Sequence, residues 1–213
     1  MINKLLEKGA MKLSITLSPE QLDTFLLLYE EMKKWGVKIN ITALLNNEER
    51  LIEELFIDSM APLLYIREKG LVNGTLLDIG SGGGFPGLPL QILEPSLHVT
   101  LTDSIEKKIF FIRNIIRKLN LGSAEAHCLR FGTKETSMLK TDSFDWVTSK
   151  AVTDIDKLSR WAYPFLKKSG SLICLKSPID APRNLPGFKS VCEYYYKLPF
   201  NKIDRELFIY EKL

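Results

Sequence analysis

Histidine and cysteine are scarce in this chain, and the scarcity narrows the chemistry. With only His98 and His127 present, no histidine-based metal centre is expected. The three cysteines, Cys128, Cys174 and Cys192, are odd in number and widely spaced. Cys128 and Cys174 fall in predicted strands, so the expectation is buried thiols rather than disulfides or metal ligands. No apolar run approaches the ~20 residues of a membrane-spanning helix. The first residues, M-I-N-K-L-L-E-K, carry too much charge over too short an apolar length for a signal peptide, which points to the cytoplasm. Repeats and low-complexity tracts are absent. A strong charge imbalance is missing too: the net charge of +3 permits a polyanionic partner without demanding one. At 213 residues the chain has room for one domain with an extension, or for two small domains.

What is abundant is glycine, in one place. Leu76–Leu88 reads L-L-D-I-G-S-G-G-G-F-P-G-L, with Gly80, Gly82, Gly83, Gly84 and Gly87 close together. Thr75, Leu76, Leu77 and Ile79 predict a short buried parallel strand, interrupted by Asp78. Glycines allow sharp turns and close approach of a ligand to the backbone. Pro86 and Pro89 suit a helix start, and Leu88, Leu90, Ile92 and Leu93 would bury that helix. Strand, glycine loop and helix are the first unit of a nucleotide-binding α/β sheet. A P-loop is excluded, because no Gly-Lys-Ser/Thr closes the run. The dinucleotide pattern G-x-G-x-x-G fails from Gly80 but fits in a shifted frame at Gly82, Gly84 and Gly87. The run also resembles motif I of the S-adenosylmethionine (SAM)-dependent methyltransferases, D-x-G-x-G-x-G, at Asp78, Gly80, Gly82 and Gly84. Charge separates the two readings. A pyrophosphate disfavours a nearby carboxylate, whereas SAM carries an amino group and a sulfonium. A bare glycine turn is the third possibility. Asp103 ends the next predicted strand, His98–Thr102, 19 residues after Gly84. An acid at such a spacing commonly holds ribose hydroxyls. Alternatively, Asp103 or Ser104 simply caps the following helix.

Before the glycines, Ser18-Pro19-Glu20-Gln21 predicts a helix start with a capping box. Leu22, Phe25, Leu26, Tyr29, Met32 and Trp35 form one apolar face, and Gly36 is expected to stop the helix. A second helix is predicted from about residue 47 to 65. The chain thus divides into a helical extension, 1–70, and a sheet domain, 71–213. After Asp103 a helix over 104–119 is expected to bury Ile105, Ile109, Ile112, Ile115, Ile116 and Leu119. Strands follow at 124–129, 144–149 and 171–175, with a helix at 154–166. The runs 190–198 and 206–210 predict an antiparallel hairpin closing the sheet. The fold class is α/β: a Rossmann-like, mostly parallel sheet with that hairpin and an N-terminal helical extension. Loops at the carboxyl ends of its strands converge on one site, bringing together Gly80–Phe85, Asp103, Arg130–Gly132 and Ser149–Lys150.

Several of these runs together resemble one family, ribosomal RNA small-subunit methyltransferase G, also called the glucose-inhibited division protein B family. They are W-x-x-x-x-N-I-T-A at Trp35–Ala43, I-D-S at Ile57–Ser59, the glycine run Leu77–Leu90, L-T-D-S at Leu101–Ser104, F-D-W-V-T-S-K-A at Phe144–Ala151 and C-L-K at Cys174–Lys176. The resemblance implies a cytoplasmic bacterial enzyme acting on 16S rRNA or the small subunit; a monomer is expected. It would use SAM to methylate N7 of a guanosine, with no membrane or metal involved. Carried over, the SAM contacts fall on Gly80, Phe85, Phe131, Gly132 and Lys150, joined by Asp78, Gly82 and Gly84 from the motif and by Asp103 from its spacing after the glycine loop. The chain departs from the family pattern at Lys150 (usually arginine), Gly132 (often acidic) and Leu55 (commonly histidine). No general base is assigned, because guanine N7 carries a free lone pair. Lys176, Arg183, Lys189, Lys202 and Arg205 are candidates for phosphate contact, though plain surface charge explains each taken singly. The competing readings are a methyltransferase for another RNA, a protein or a small molecule; an NAD(P)-binding oxidoreductase; and a non-catalytic RNA-binding protein. The oxidoreductase would need a tyrosine–lysine or histidine constellation at the pocket.

Overall fold

The computed structural model describes residues 1–150, 154–176 and 184–213. Its sheet has seven strands: β1 (Thr75–Ile79), β2 (His98–Asp103), β3 (Ala124–Cys128), β4 (Phe144–Lys150), β5 (Leu166–Lys176), β6 (Phe188–Lys197) and β7 (Asp204–Lys212). They lie in the order β3-β2-β1-β4-β5-β7-β6. The first five pair in parallel, whereas β7 runs antiparallel to both β5 and β6. The expected hairpin therefore closes the sheet, with β7 inserted between β5 and β6.

Strands buried on both sides need apolar residues at every position. Leu76, Val99, Leu101, Trp146, Ile173, Leu207 and Ile209 face one layer; Leu77, Ile79, Val147, Leu172, Phe208 and Tyr210 face the other. The first layer holds α1 (Ile2–Lys12), α2 (Pro19–Ile39), α3 (Glu48–Leu51), α4 (Pro62–Glu68), α5 (Gly87–Leu93) and α6 (Glu106–Lys118). The second is covered by α7 (Ile155–Ala162) with the loop after β3. Edge strand β3 is only partly covered, so Cys128 is exposed rather than buried as expected, while Cys174 is buried. At the amino ends of the strands, the Asp145 carboxylate accepts from the Thr75 N–H at 2.8 Å and pairs with Lys167 at 2.9 Å, locking β1 to β4.

The capping box forms as predicted. Ser18 accepts from the Gln21 N–H at 3.2 Å, and Gln21 accepts from the Ser18 N–H at 3.0 Å. Ser18→Ala should therefore cost about 1 kcal/mol, read as a lower urea midpoint with an unchanged slope. Gly36 does not stop α2, which continues to Ile39 and ends at Asn40 in the left-handed conformation. Gly36 serves packing instead: a Cβ there would lie 2.6 Å from the Leu45 side chain. α1 was not foreseen, yet its Leu6 and Ala10 are fully buried.

The second predicted helix does not keep one winding. After α3 it widens to a π-helical stretch, Ile52–Ile57, then tightens to a 3₁₀ turn, Asp58–Met60, before α4. Such changes shift which side chains face inward, and they recur at functional sites. Here they bury two carboxylates, Glu53 and Asp58. Glu53 accepts from the backbone N–H groups of Phe200 (2.5 Å) and Asn201 (3.0 Å), in the β6–β7 turn. The extension's Phe25, Met32, Phe56 and Met60 belong to the same apolar cluster as Leu76 and Leu101 of the sheet.

Candidate active site at the glycine loop

Strand order reverses between β1 and β4, and ligands of open α/β sheets sit outside the carboxyl ends of strands at such a point. The glycine loop leaves β1 there. Gly80, Gly82 and Gly84 all have positive φ, at 73°, 58° and 94°, a region that costs other residues strain. The glycines serve different ends. A Cβ on Gly83 would collide with Ile41 of the N-I-T-A run, and one on Gly84 would collide with Leu88. On Gly87 it would lie 2.9 Å from the Asp78 carboxylate. Gly82 alone among these four faces open space, with nothing within 4 Å of such an atom. The loop is thus clamped on its protein side and free on the side a ligand would take. Phe85 turns inward, 4% exposed, with its ring 5.1 Å from that of Phe56 in the extension.

The two strand-end acids hold this loop. Asp78 is wholly buried; its Oδ2 accepts from the Gly87 N–H at 2.9 Å, while its Oδ1 has no partner among the described residues. Burial pushes its carboxyl up to about 7, against the lowering effect of the Gly87 hydrogen bond. A cation reaching that side would favour the charged form. Asp103 accepts from the Gly82 N–H at 3.0 Å through Oδ2 and from the Ile105 N–H at 2.9 Å through Oδ1. Neither Asp103 nor Ser104 caps α6, whose cap position is Ile105. Ile105 is 46% exposed, not buried as its place in the apolar pattern predicted, because α6 begins only after it.

Phe131 and Gly132 follow β3. Phe131 packs against Trp161 and Phe165, with ring centroids 5.9 and 6.0 Å away. Both residues border a cavity of about 600 Å³ that also touches Arg160 and Trp161. Gly132 has φ 80°, and a Cβ there would lie 3.0 Å from Trp161 Nε1. An acidic side chain at this position would meet both strain and a close neighbour, so glycine suits the local backbone.

Lys150, at the end of β4, points back toward the extension. Its Nζ lies 3.0 Å from Asp58 Oδ2 and also donates to the Glu54 carbonyl. Asp58 Oδ1 accepts from the Tyr196 hydroxyl at 2.6 Å and lies 3.6 Å from Arg205 Nε. Burial, then the neighbouring Asp58 charge, hold the Tyr196 hydroxyl far above its usual range. One buried carboxylate thus joins the extension, β4 and the closing hairpin. Tyr196 was not singled out from sequence; the third tyrosine of the run Tyr194–Tyr196 gives no signal of a buried carboxylate partner. Arg205 is committed to this cluster, whereas Lys189 and Lys202 are exposed. Arg183 and the Lys176 side chain lie outside the described residues.

No group of metal-binding side chains occurs among the described residues, and no described helix is long and apolar enough to cross a membrane. Three Y-x-x-x-K spacings exist, starting at Tyr29, Tyr65 and Tyr163. Tyr29 donates to Glu48, Tyr65 meets Ser171 in the core and Lys167 pairs with Asp145, so none of the three assembles at the glycine loop.

The fold is shared with solved methyltransferases. A SAM-dependent methyltransferase from Aquifex aeolicus superposes with TM-score 0.58 at 17% identity, covering 83% of this chain and 98% of that one. TrmN from Thermus thermophilus gives 0.57 at 19% identity, covering 73% and 49%. Sequence carries the relationship further. A ribosomal RNA small subunit methyltransferase G from Geotalea uraniireducens is 40% identical over 173 residues, 81% of this chain and 76% of that protein. Its namesake in Bacillus subtilis is 33% identical over 213 residues, 96% and 88%. The family model for rRNA small subunit methyltransferase G matches residues 21–190, and the chain belongs to that family.

Proposed function

We propose that this protein transfers a methyl group from SAM to N7 of a guanosine in 16S rRNA, acting as a cytoplasmic monomer on the rRNA or the small subunit. The observation that carries the SAM reading is the glycine loop strung between two strand-end carboxylates, with open space over Gly82. Family membership supports the acceptor. SAM supplies, when bound, an electrophilic methyl group on a sulfonium. The chain's own residues bind and orient. Asp103 exchanges its hold on the Gly82 N–H for ribose hydroxyls. Asp78 keeps the loop seated on α5 and offers Oδ1, through water, to the cofactor's amino group. Gly80, Gly82 and Gly84 let the backbone approach, with Phe85 packed beneath them. Phe131 and Gly132 form the adenine side, and Lys150 stands at the substrate side. Guanine N7 needs no deprotonation, so holding it in line at near-attack distance is the main task.

The test combines calorimetry with mapping. SAM should bind the purified protein and NADH should not. One 7-methylguanosine should disappear from 16S rRNA when the gene is deleted. SAM binding without loss of a mark would move the substrate elsewhere, and NADH binding in place of SAM would overturn the assignment.

A further inference from the structure

We infer that Phe110, backed by Trp35, is a stacking platform for a base of single-stranded RNA beside the methyl acceptor. The inference rests on the RNA reading above and adds a positioning surface to it. On α6, Ile109, Phe111 and Ile112 are buried, yet Phe110 is 62% exposed. It is not an isolated apolar residue. The Trp35 ring of α2 lies 6.2 Å away, tilted at 56°, and fixes one side of Phe110 while the other remains open. Trp35 ends the apolar stripe of α2 and is only half-buried, unlike Phe25 and Met32 before it.

The surroundings have the charge an RNA backbone requires. Lys34 and Lys38 flank Trp35; Lys107 lies one turn before Phe110 and Arg117 two turns after, and all four are exposed. Lys38 and Lys107 enter no ion pair among the described residues. Glu31 is answered by Lys34 and Lys118, which leaves the exposed Glu106, one turn before Phe110, as the acid on this stretch of α6. An exposed aromatic face with a surplus of neighbouring cations is how single-stranded nucleic acid is held without base-specific contacts. The place also fits. α6 starts three residues after Asp103, and Phe110 is about 6 Å along its axis from Glu106. Two residues after α2 ends at Ile39, Ile41 packs against Gly83 of the glycine loop. The platform therefore adjoins the cofactor site on the side of the extension, where an unpaired base next to the acceptor would lie.

The experiment measures binding of a fluorescein-labelled single-stranded RNA, and methyl transfer to small subunits from a strain lacking the gene. Phe110→Ala and Phe110→Leu should weaken RNA binding and raise KM for the subunit roughly tenfold, the loss expected for one stacked base. Phe110→Trp should restore both, and SAM affinity should be unchanged throughout. Leu27→Ala, which removes an exposed apolar residue elsewhere on α2, should behave as the wild type. Wild-type behaviour of Phe110→Ala, or retention of full affinity by Phe110→Leu, would overturn the platform. If the wild type methylates no subunit yet Phe110→Ala still loses RNA binding, the acceptor assignment fails and the platform stands.

Discussion

Asp58→Ala should destabilise the folded protein by about 3–5 kcal/mol, the usual cost of leaving a buried charge without its partner. Two cations, Lys150 and Arg205, converge on this one carboxylate, and their side chains are only 16% and 19% exposed. The Tyr196 hydroxyl would also lose its acceptor. Asp58→Asn keeps an acceptor for Tyr196 but removes the charge, so it should fall between the wild type and Asp58→Ala. Thermal or urea unfolding gives the size. A double-mutant cycle with Lys150→Met assigns it, because the coupling vanishes if Lys150 does not share the cluster. A loss below about 1 kcal/mol for Asp58→Ala would mean that water already solvates both cations. The prediction has a functional side. Lys150 ends β4 at the point where strand order reverses, so under the substrate-side role proposed for it, loosening it should also raise KM for the small subunit.

The glycine loop, both strand-end acids and the alternation of strands and helices were legible in the sequence, and for one reason. Each depends on residues near in sequence: an apolar run, a turn that needs positive φ, an acid at a strand end. Gly36 shows where such reading fails. A glycine after an amphipathic stripe is a fair stop signal, yet here the reason for glycine is Leu45, which arrives from another segment. Gly83 is similar, since its neighbour Ile41 comes from the N-I-T-A run more than 40 residues away. The same holds for Asp58. Its sequence shows an acid inside a helix, and only the fold brings Tyr196 and Arg205 across from the hairpin. The π-helical stretch that turns Glu53 inward has no periodic signature of its own, because it interrupts a pattern that otherwise reads as α-helix. Cys128 and Ile105 failed for a simpler cause. An edge strand and a helix cap look apolar in sequence but lack a neighbour on one side.

Asp103→Ala should weaken SAM binding by roughly 10–100-fold, the loss expected for hydrogen bonds to a charged acceptor. The argument starts from the free protein, where the carboxylate is already spoken for by the N–H groups of Gly82 and Ile105. Under the ribose role proposed for Asp103, binding exchanges a partner rather than filling an empty acceptor, so the net gain comes from a second hydroxyl. Asp103→Asn retains one acceptor oxygen and should recover part of the affinity. Because no proton moves through Asp103, kcat at saturating SAM should stay within a few-fold of the wild type, with the change carried by KM for SAM. Calorimetry and initial rates on small subunits measure the two separately. A collapse of kcat with unchanged affinity would place Asp103 in the chemical step and contradict a mechanism that works by orientation alone. Unchanged affinity and unchanged rate together would mean that the acid only shapes the loop, leaving the ribose to be held by other groups.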